Sequence, residues 1–114
     1  MQADHGAWYT PPWASQRLVE LFFPELDADD LVLEPSCGDG SFLQAIRPEV
    51  PAFGIELDPF AAEEARENTG REVLCGDFRT IHIPDKPTVI IGNPPFKADL
   101  LNEFLDRSNK LLSK

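Results

Sequence analysis

Apolar runs in this 114-residue sequence are short. None approaches the roughly 20 residues of a membrane-spanning helix, and no signal-like pattern opens the sequence. A membrane or secretory role is therefore not expected. Cysteine is scarce, and Cys37 and Cys75 stand in no metal-ligand or redox spacing. They suggest a reducing, cytoplasmic setting with cysteine used as a small apolar residue. His5 and His82 are isolated from each other, so no metal site is expected. Basic charge is also short: 10 Lys and Arg face 20 Asp and Glu, a formal net charge of -10. That balance disfavours nonspecific attraction to nucleic acid. The deficit is uneven. Residues 1–85 hold 5 of the basic and 17 of the acidic side chains, whereas residues 86–114 hold 5 and 3. Any phosphate contact is expected in that last third. Repeats and low-complexity segments are absent, and the length allows one domain of moderate core size.

What is present is organised around Leu31–Leu43. Leu31, Val32 and Leu33 read as a buried strand running into Glu34, and Pro35 ends it. Gly38 and Gly40 permit a sharp turn and a close backbone approach to a ligand. Asp39 or Ser41 can cap the helix that follows, whose Phe42, Leu43 and Ile46 share one face. Such a turn often cradles phosphate. Here Glu34 and Asp39 would repel it, and neither a P-loop Lys-Ser/Thr pair nor the third glycine of a dinucleotide fingerprint is present. An acidic turn suits a cationic ligand with a small carboxylate, and S-adenosylmethionine fits that description. An ordinary strand–helix turn is the alternative.

Further along, Thr10 is a good N-cap and Pro11 a good first residue for a helix running to about Phe23, after a loose start over residues 1–9. Ala52–Glu56 reads as a strand. Asp58 and Pro59 open a helix over Phe60–Asn68, which Gly70 closes. Glu72–Cys75 and Thr88–Ile91 read as two more strands, and Ala98–Leu112 as the last helix. This alternation predicts an α/β fold with a parallel sheet and covering helices. Each candidate polar site follows a strand's C-terminal end, where open α/β sheets bind ligands. Glu56 can accept both hydroxyls of a ribose. Asp77 can accept from an adenine amino group, beside the apolar face of Phe78. Solvated strand-end acids, a capped turn and a core Phe are the structural alternatives.

Asn93-Pro-Pro-Phe96 follows the fourth strand directly. Its two prolines fix an extended backbone. The Asn93 amide oxygen and the Pro94 carbonyl can together accept two hydrogen bonds from one planar NH₂ group, and Phe96 can stack on the ring that bears it. Such a site favours attack on a methyl group by positioning and electrostatics alone. A rigid loop with a packed Phe is the alternative.

Taken together, Glu34-Pro-Ser-Cys-Gly-Asp-Gly40, Glu56, Gly76-Asp-Phe78 and Asn93-Pro-Pro-Phe96 resemble the ordered motifs of class I methyltransferases that modify exocyclic or amide nitrogens. Tyr9-Thr-Pro-Pro12 resembles the N-terminal cofactor motif of adenine-N6 DNA methyltransferases. The resemblance covers about residues 9–112 and implies a Rossmann-like sheet of order 3-2-1-4. It further implies that Thr10 and Glu34, Pro35, Ser36, Cys37, Gly38 and Gly40 hold the methionine part of S-adenosylmethionine. Glu56 would bind the ribose, and Asp77 and Phe78 the adenine, so that residues 10–85 form the cofactor-binding part. Residues 86–114 would carry the catalytic motif. There Asn93 and the Pro94 carbonyl grip the target amine, Pro95 stiffens the loop, and Phe96 stacks on a base flipped out of DNA.

Family members continue with further strands and usually a target-recognition region. A four-stranded sheet would leave an apolar edge and one poorly covered face, so self-association, a partner protein or marginal stability is expected. Two other functions fit the same residues. One is methylation of a glutamine amide in a protein, compatible with the acidic charge. The other is a truncated cofactor-binding or accessory protein without turnover.

Overall fold

The computed structural model describes residues 25–92 and 98–112. The helix expected over residues 11–23, Thr10, the loose start and the Asn93–Phe96 segment lie outside that range. Chain order is β1 (Val32–Glu34), α1 (Ser41–Ala45), β2 (Ala52–Glu56), α2 (Pro59–Thr69), β3 (Glu72–Cys75), β4 (Val89–Ile90) and α3 (Ala98–Leu112). The strands form one parallel sheet, as the alternation of strand and helix predicts, in the order β3-β2-β1-β4 that the resemblance implies. Val32 pairs with Ala52 on one side and Val89 on the other, while Leu33 pairs with Phe53 and Ile90.

Alternation along these strands sends side chains to opposite faces. Val32 and Val73 pack with Leu43, Ile46, Val50, Ala62 and Ala65 on the face that carries α1 and α2. Leu33, Phe53, Ile55 and Phe78 form a second core. Ile81 and Ile83 from the loop after β3, and Phe104 and Leu111 from α3, pack against that second core. The expectation of one poorly covered face is corrected here: a loop and a helix cover it.

Local chemistry explains most element boundaries. The Asp58 carboxylate accepts the Phe60 N–H at 3.0 Å, Pro59 takes the first turn of α2, and Gly70 ends it at φ 66°. All three signals were legible in the sequence, and the helix is one residue longer at each end than expected. α1 departs from expectation. Its N-cap is Gly40 at φ 93°, not Asp39 or Ser41, and the helix stops at Ala45, before the buried Ile46. A Cβ on Gly40 would meet Thr69 Cγ2 at 2.7 Å and Ala65 Cα at 3.3 Å. Close packing of α2 thus excludes any larger residue at the cap. β1 begins at Val32 and β4 spans only Val89–Ile90, because Thr88 is used otherwise. Its hydroxyl accepts the Leu31 N–H at 2.9 Å and donates to Asp30 at 3.0 Å. Cys37 is buried as a small apolar residue, whereas Cys75 is exposed, against expectation.

Arg71 fastens the N-terminal edge of the sheet. Its guanidinium donates to the carbonyls of Val50 at 2.8 Å, Ile46 at 3.1 Å and Arg47 at 3.0 Å. One planar fork thereby closes the chain ends that leave α1 and enter β2.

The tightest point of the sheet is Gly54, whose missing Cβ would lie 2.7 Å from Leu43 Cδ1 and 2.8 Å from Cys37 Sγ. Gly54→Ala should lower the unfolding free energy by about 1–3 kcal/mol through overpacking. Urea denaturation reads this as a lower midpoint at unchanged slope.

Candidate cofactor site

Because all four strands are parallel, their C-terminal ends share one edge. Three turns are stitched together there by backbone hydrogen bonds. Cys37 N–H donates to the Ile55 carbonyl at 3.0 Å, and Gly76 N–H donates to the Glu56 carbonyl at 2.9 Å. The Glu56 side chain adds two more, accepting Gly38 N–H at Oε1 and Asp58 N–H at Oε2, both at 2.8 Å. The structure thus brings Glu34, Cys37, Gly38, Glu56 and Gly76–Phe78 to one edge, with Gly92 beside them.

Glu34 is the most heavily desolvated acid in this group. It is buried, and its Oε1 has no hydrogen-bond partner. Desolvation pushes its pKa well above the ordinary value of 4.5, the charges of Asp39 and Glu56 push the same way, and the Leu43 N–H opposes them. Gly92 lies directly over this side chain. At φ +150°, its missing Cβ would meet Glu34 Cγ at 3.0 Å and Oε2 at 3.2 Å. The end of β4 can approach β1 this closely only because residue 92 is glycine. Beside it, the Cys37 thiol is also pushed up by burial and by the charges of Glu34 and Glu56, which disfavours the thiolate.

Asp39 turns inward to its own helix, accepting the Ser41 N–H at 3.2 Å and the Ser41 hydroxyl at 2.8 Å. Asn68 of α2 donates to the Asp39 carbonyl at 3.0 Å and holds the turn from behind. Asp77 is gripped by Arg79, whose guanidinium meets Oδ2 at 2.6 Å and Oδ1 at 3.0 Å. That hydrogen-bonded pair lowers the Asp77 pKa. The Arg79 backbone N–H also donates to Oδ1, at 2.9 Å, so each Asp77 oxygen already meets two donors of Arg79 and a further donor has to share or displace one of them. Phe78 is almost fully buried, with its ring 5.0 Å from that of Phe104. It is a core residue, so the ring face expected for a ligand is turned into the protein.

Two features of this edge escape a reading of the sequence by motif. Leu57, within the Glu56–Asp58 turn, and Phe60, just after it, are 67% and 87% exposed. The alternating pattern could have flagged Leu57, which follows a strand end where no core position remains. Arg79 belongs to no motif, although its spacing two residues after Asp77 is a local signal for the pair. Among the described residues, no group of three or more His, Cys, Asp or Glu could hold a metal ion, and no helix is long and apolar enough to cross a membrane.

The edge suits a cationic, hydroxyl-bearing ligand. Two buried carboxyl groups, one with an unpartnered oxygen, give it acceptor atoms and an acidic character. Similar proteins agree. No protein-family model matches the chain. A Type II methyltransferase, M.CvrRI of Paramecium bursaria Chlorella virus XZ-6E, is 35% identical over 100 residues, covering 83% of this chain and 25% of the relative. An RNA methyltransferase from Salinibacter ruber, solved in complex with S-adenosyl-L-homocysteine, superposes with a TM-score of 0.60 at 28% identity. That match covers 73% of this chain and 58% of the other.

In sequence and in fold the chain is similar to class I S-adenosylmethionine-dependent methyltransferases.

A second methyltransferase relative is the tRNA1(Val) (adenine(37)-N6)-methyltransferase of Bacteroides thetaiotaomicron, 37% identical over 62 residues, or 48% of this chain and 26% of the relative. The chain spans about a quarter of the length of these two curated relatives. S-adenosylmethionine is the cofactor of the family, and its sulfonium and ammonium supply the positive charge that this acidic edge favours.

The buried acid makes a test in the absence of any ligand. Glu34 has a raised pKa in the folded state, so folding favours its protonated form. Its penalty is absent below about pH 4.5. Above that, the penalty grows by about 1.4 kcal/mol for each step of one in pH, until pH passes the folded value. Glu34→Gln should therefore flatten the fall in stability above pH 4.5, as read by urea unfolding at a series of pH values on either side of that point. Parallel curves for the two proteins would rule out a raised Glu34.

Proposed function

We propose that this methyltransferase chain carries the cofactor-binding and catalytic part of an enzyme that methylates the exocyclic N6 of adenine in nucleic acid, with DNA as the first substrate. The observation that carries the reading is the position of Gly92. It seats the C-terminal end of β4 directly over Glu34, so the Asn93-Pro-Pro-Phe96 sequence leaves from the same edge as the acidic turn, Glu56 and Asp77.

Each residue then has a role. Glu56, already holding Gly38 and Asp58, keeps lone pairs for the ribose hydroxyls. Asp77, fixed by Arg79, accepts from the adenine amino group of the cofactor. The Glu34–Gly40 turn, with Pro35, Ser36 and Cys37, encloses the methionine end together with Thr10. When bound, S-adenosylmethionine supplies an electrophilic methyl group. Asn93 and the Pro94 carbonyl accept the two N–H bonds of the target amine and bring its lone pair into line, while Phe96 stacks on the base. The nitrogen would bond the methyl carbon as the carbon–sulfur bond breaks, S-adenosylhomocysteine being the leaving group, and one N–H proton would pass to solvent. Positioning and electrostatics are the whole of this catalysis.

DNA is favoured by the Tyr9-Thr-Pro-Pro12 motif and the Type II relative, and RNA by the tRNA relative. The protein-amide reading rests on the acidic charge alone. Calorimetric titration with S-adenosylmethionine should show binding. Transfer of a labelled methyl group should be seen on adenine-containing DNA before RNA or a glutamine-bearing protein. Asn93→Ala should lower the transfer rate roughly a hundredfold while the Kd stays within a factor of about two. A folded chain that binds no S-adenosylmethionine sinks the proposal. Binding without transfer to any of the three substrates leaves only the accessory reading.

A further inference from the structure

α3 grips the loop after β3 from one side. Arg107 donates from Nη1 to the Phe78 carbonyl and from Nη2 to the Ile81 carbonyl, the latter at 2.7 Å. The same guanidinium sits 5.5 Å from the centroid of the Phe78 ring. Phe104, one turn earlier, packs on that ring. Glu103 accepts from Arg79 at 2.8 Å, and Arg79 in turn holds the Asp77 carboxylate. The outer arm through Glu103 and Arg79 is exposed and screened by solvent. The inner arm is stronger, because one half-buried cation satisfies two backbone carbonyls and lies over an aromatic face.

These contacts meet at a functional place. The gripped loop begins with Asp77, and α3 is the helix that follows the Asn93–Phe96 segment. We propose that Arg107 is a positioning residue for the cofactor site. By fixing the Phe78 and Ile81 carbonyls, it sets the turn that presents Asp77 and ties it to the helix leading out of the target-amine segment. The proposal rests on the cofactor reading above and adds a residue that touches neither cofactor nor target.

Arg71 provides the control. It also donates to backbone carbonyls from a single guanidinium, but at the opposite edge of the sheet. Calorimetric titration of the full chain with S-adenosylmethionine, beside urea unfolding, separates positioning from plain stability. Arg107→Met should raise the Kd about tenfold. Arg71→Met should lower the unfolding midpoint at least as much, yet leave the Kd within about twofold. Should Arg107→Met fail to fold, Arg107→Lys keeps the charge but loses the planar fork whose two nitrogens reach the two carbonyls separately, and should raise the Kd severalfold. An unchanged Kd in the Arg107 variant, or an equal rise in both, overturns the positioning role. Absence of binding by the unaltered chain overturns the cofactor reading itself, and this inference with it.

Discussion

Glu56 closes two turns with one carboxylate, and the ligand edge depends on that arrangement. Oε1 takes the Gly38 N–H and Oε2 the Asp58 N–H, each at 2.8 Å. The first bond fixes the glycine turn after β1, and the second fixes the entry to α2. Its own backbone carbonyl meanwhile holds Gly76, at the start of the loop after β3. Burying an acid so thoroughly is costly unless hydrogen bonds satisfy it, and here charge-assisted bonds to two backbone N–H groups do so. Their geometry leaves one lone pair on each oxygen, so a structural acid can also serve a ligand.

Glu34 does not share that comfort. Glu34 lies buried with an unpartnered oxygen, under the influence of Asp39 and Glu56. A core built only for stability would place an apolar residue at the end of β1. Local rules are broken where function requires it, and this cluster is the point where the sequence is least consistent with stability alone. A ligand bringing positive charge to the edge lowers the cost of the cluster. That gives the free protein a reason to be pH-sensitive and the loaded one a reason to be less so.

Much of this was legible in the sequence because its signals are local. Asp58-Pro59 and Gly70 bound α2, and the apolar runs at β1, β2 and β3 were placed within a residue. Strand order followed from the alternation of strand and helix together with the family resemblance. What escaped depends on packing between distant segments. Asp39 looks like a helix cap, but the closeness of Ala65 and Thr69 gives that position to Gly40. Phe78 looks like a ligand platform beside Asp77, but α3 and the second core claim its ring. Arg107 carries no motif at all. Its role comes from two carbonyls that lie 29 and 26 residues away. The sheet face expected to be poorly covered is covered for the same reason, since Ile81 and Ile83 of the loop after β3 reach it by packing across the fold.

β4 is the shortest strand and pairs, among the described residues, with β1 alone. The contact that starts this pairing, Leu31 to Thr88, joins residues 57 apart, whereas β2 and β3 are linked by a single helix. Closing the longer loop costs more entropy and returns fewer hydrogen bonds. The protein therefore holds two tiers of order, with β1, β2 and β3 opening last and β4 opening first. Glu56 and Asp77, the residues proposed for the cofactor, lie at the end of β2 and just after β3, in the durable tier. The end of β4 lies in the weaker one, so the two parts of the proposed site rest on elements of unequal stability.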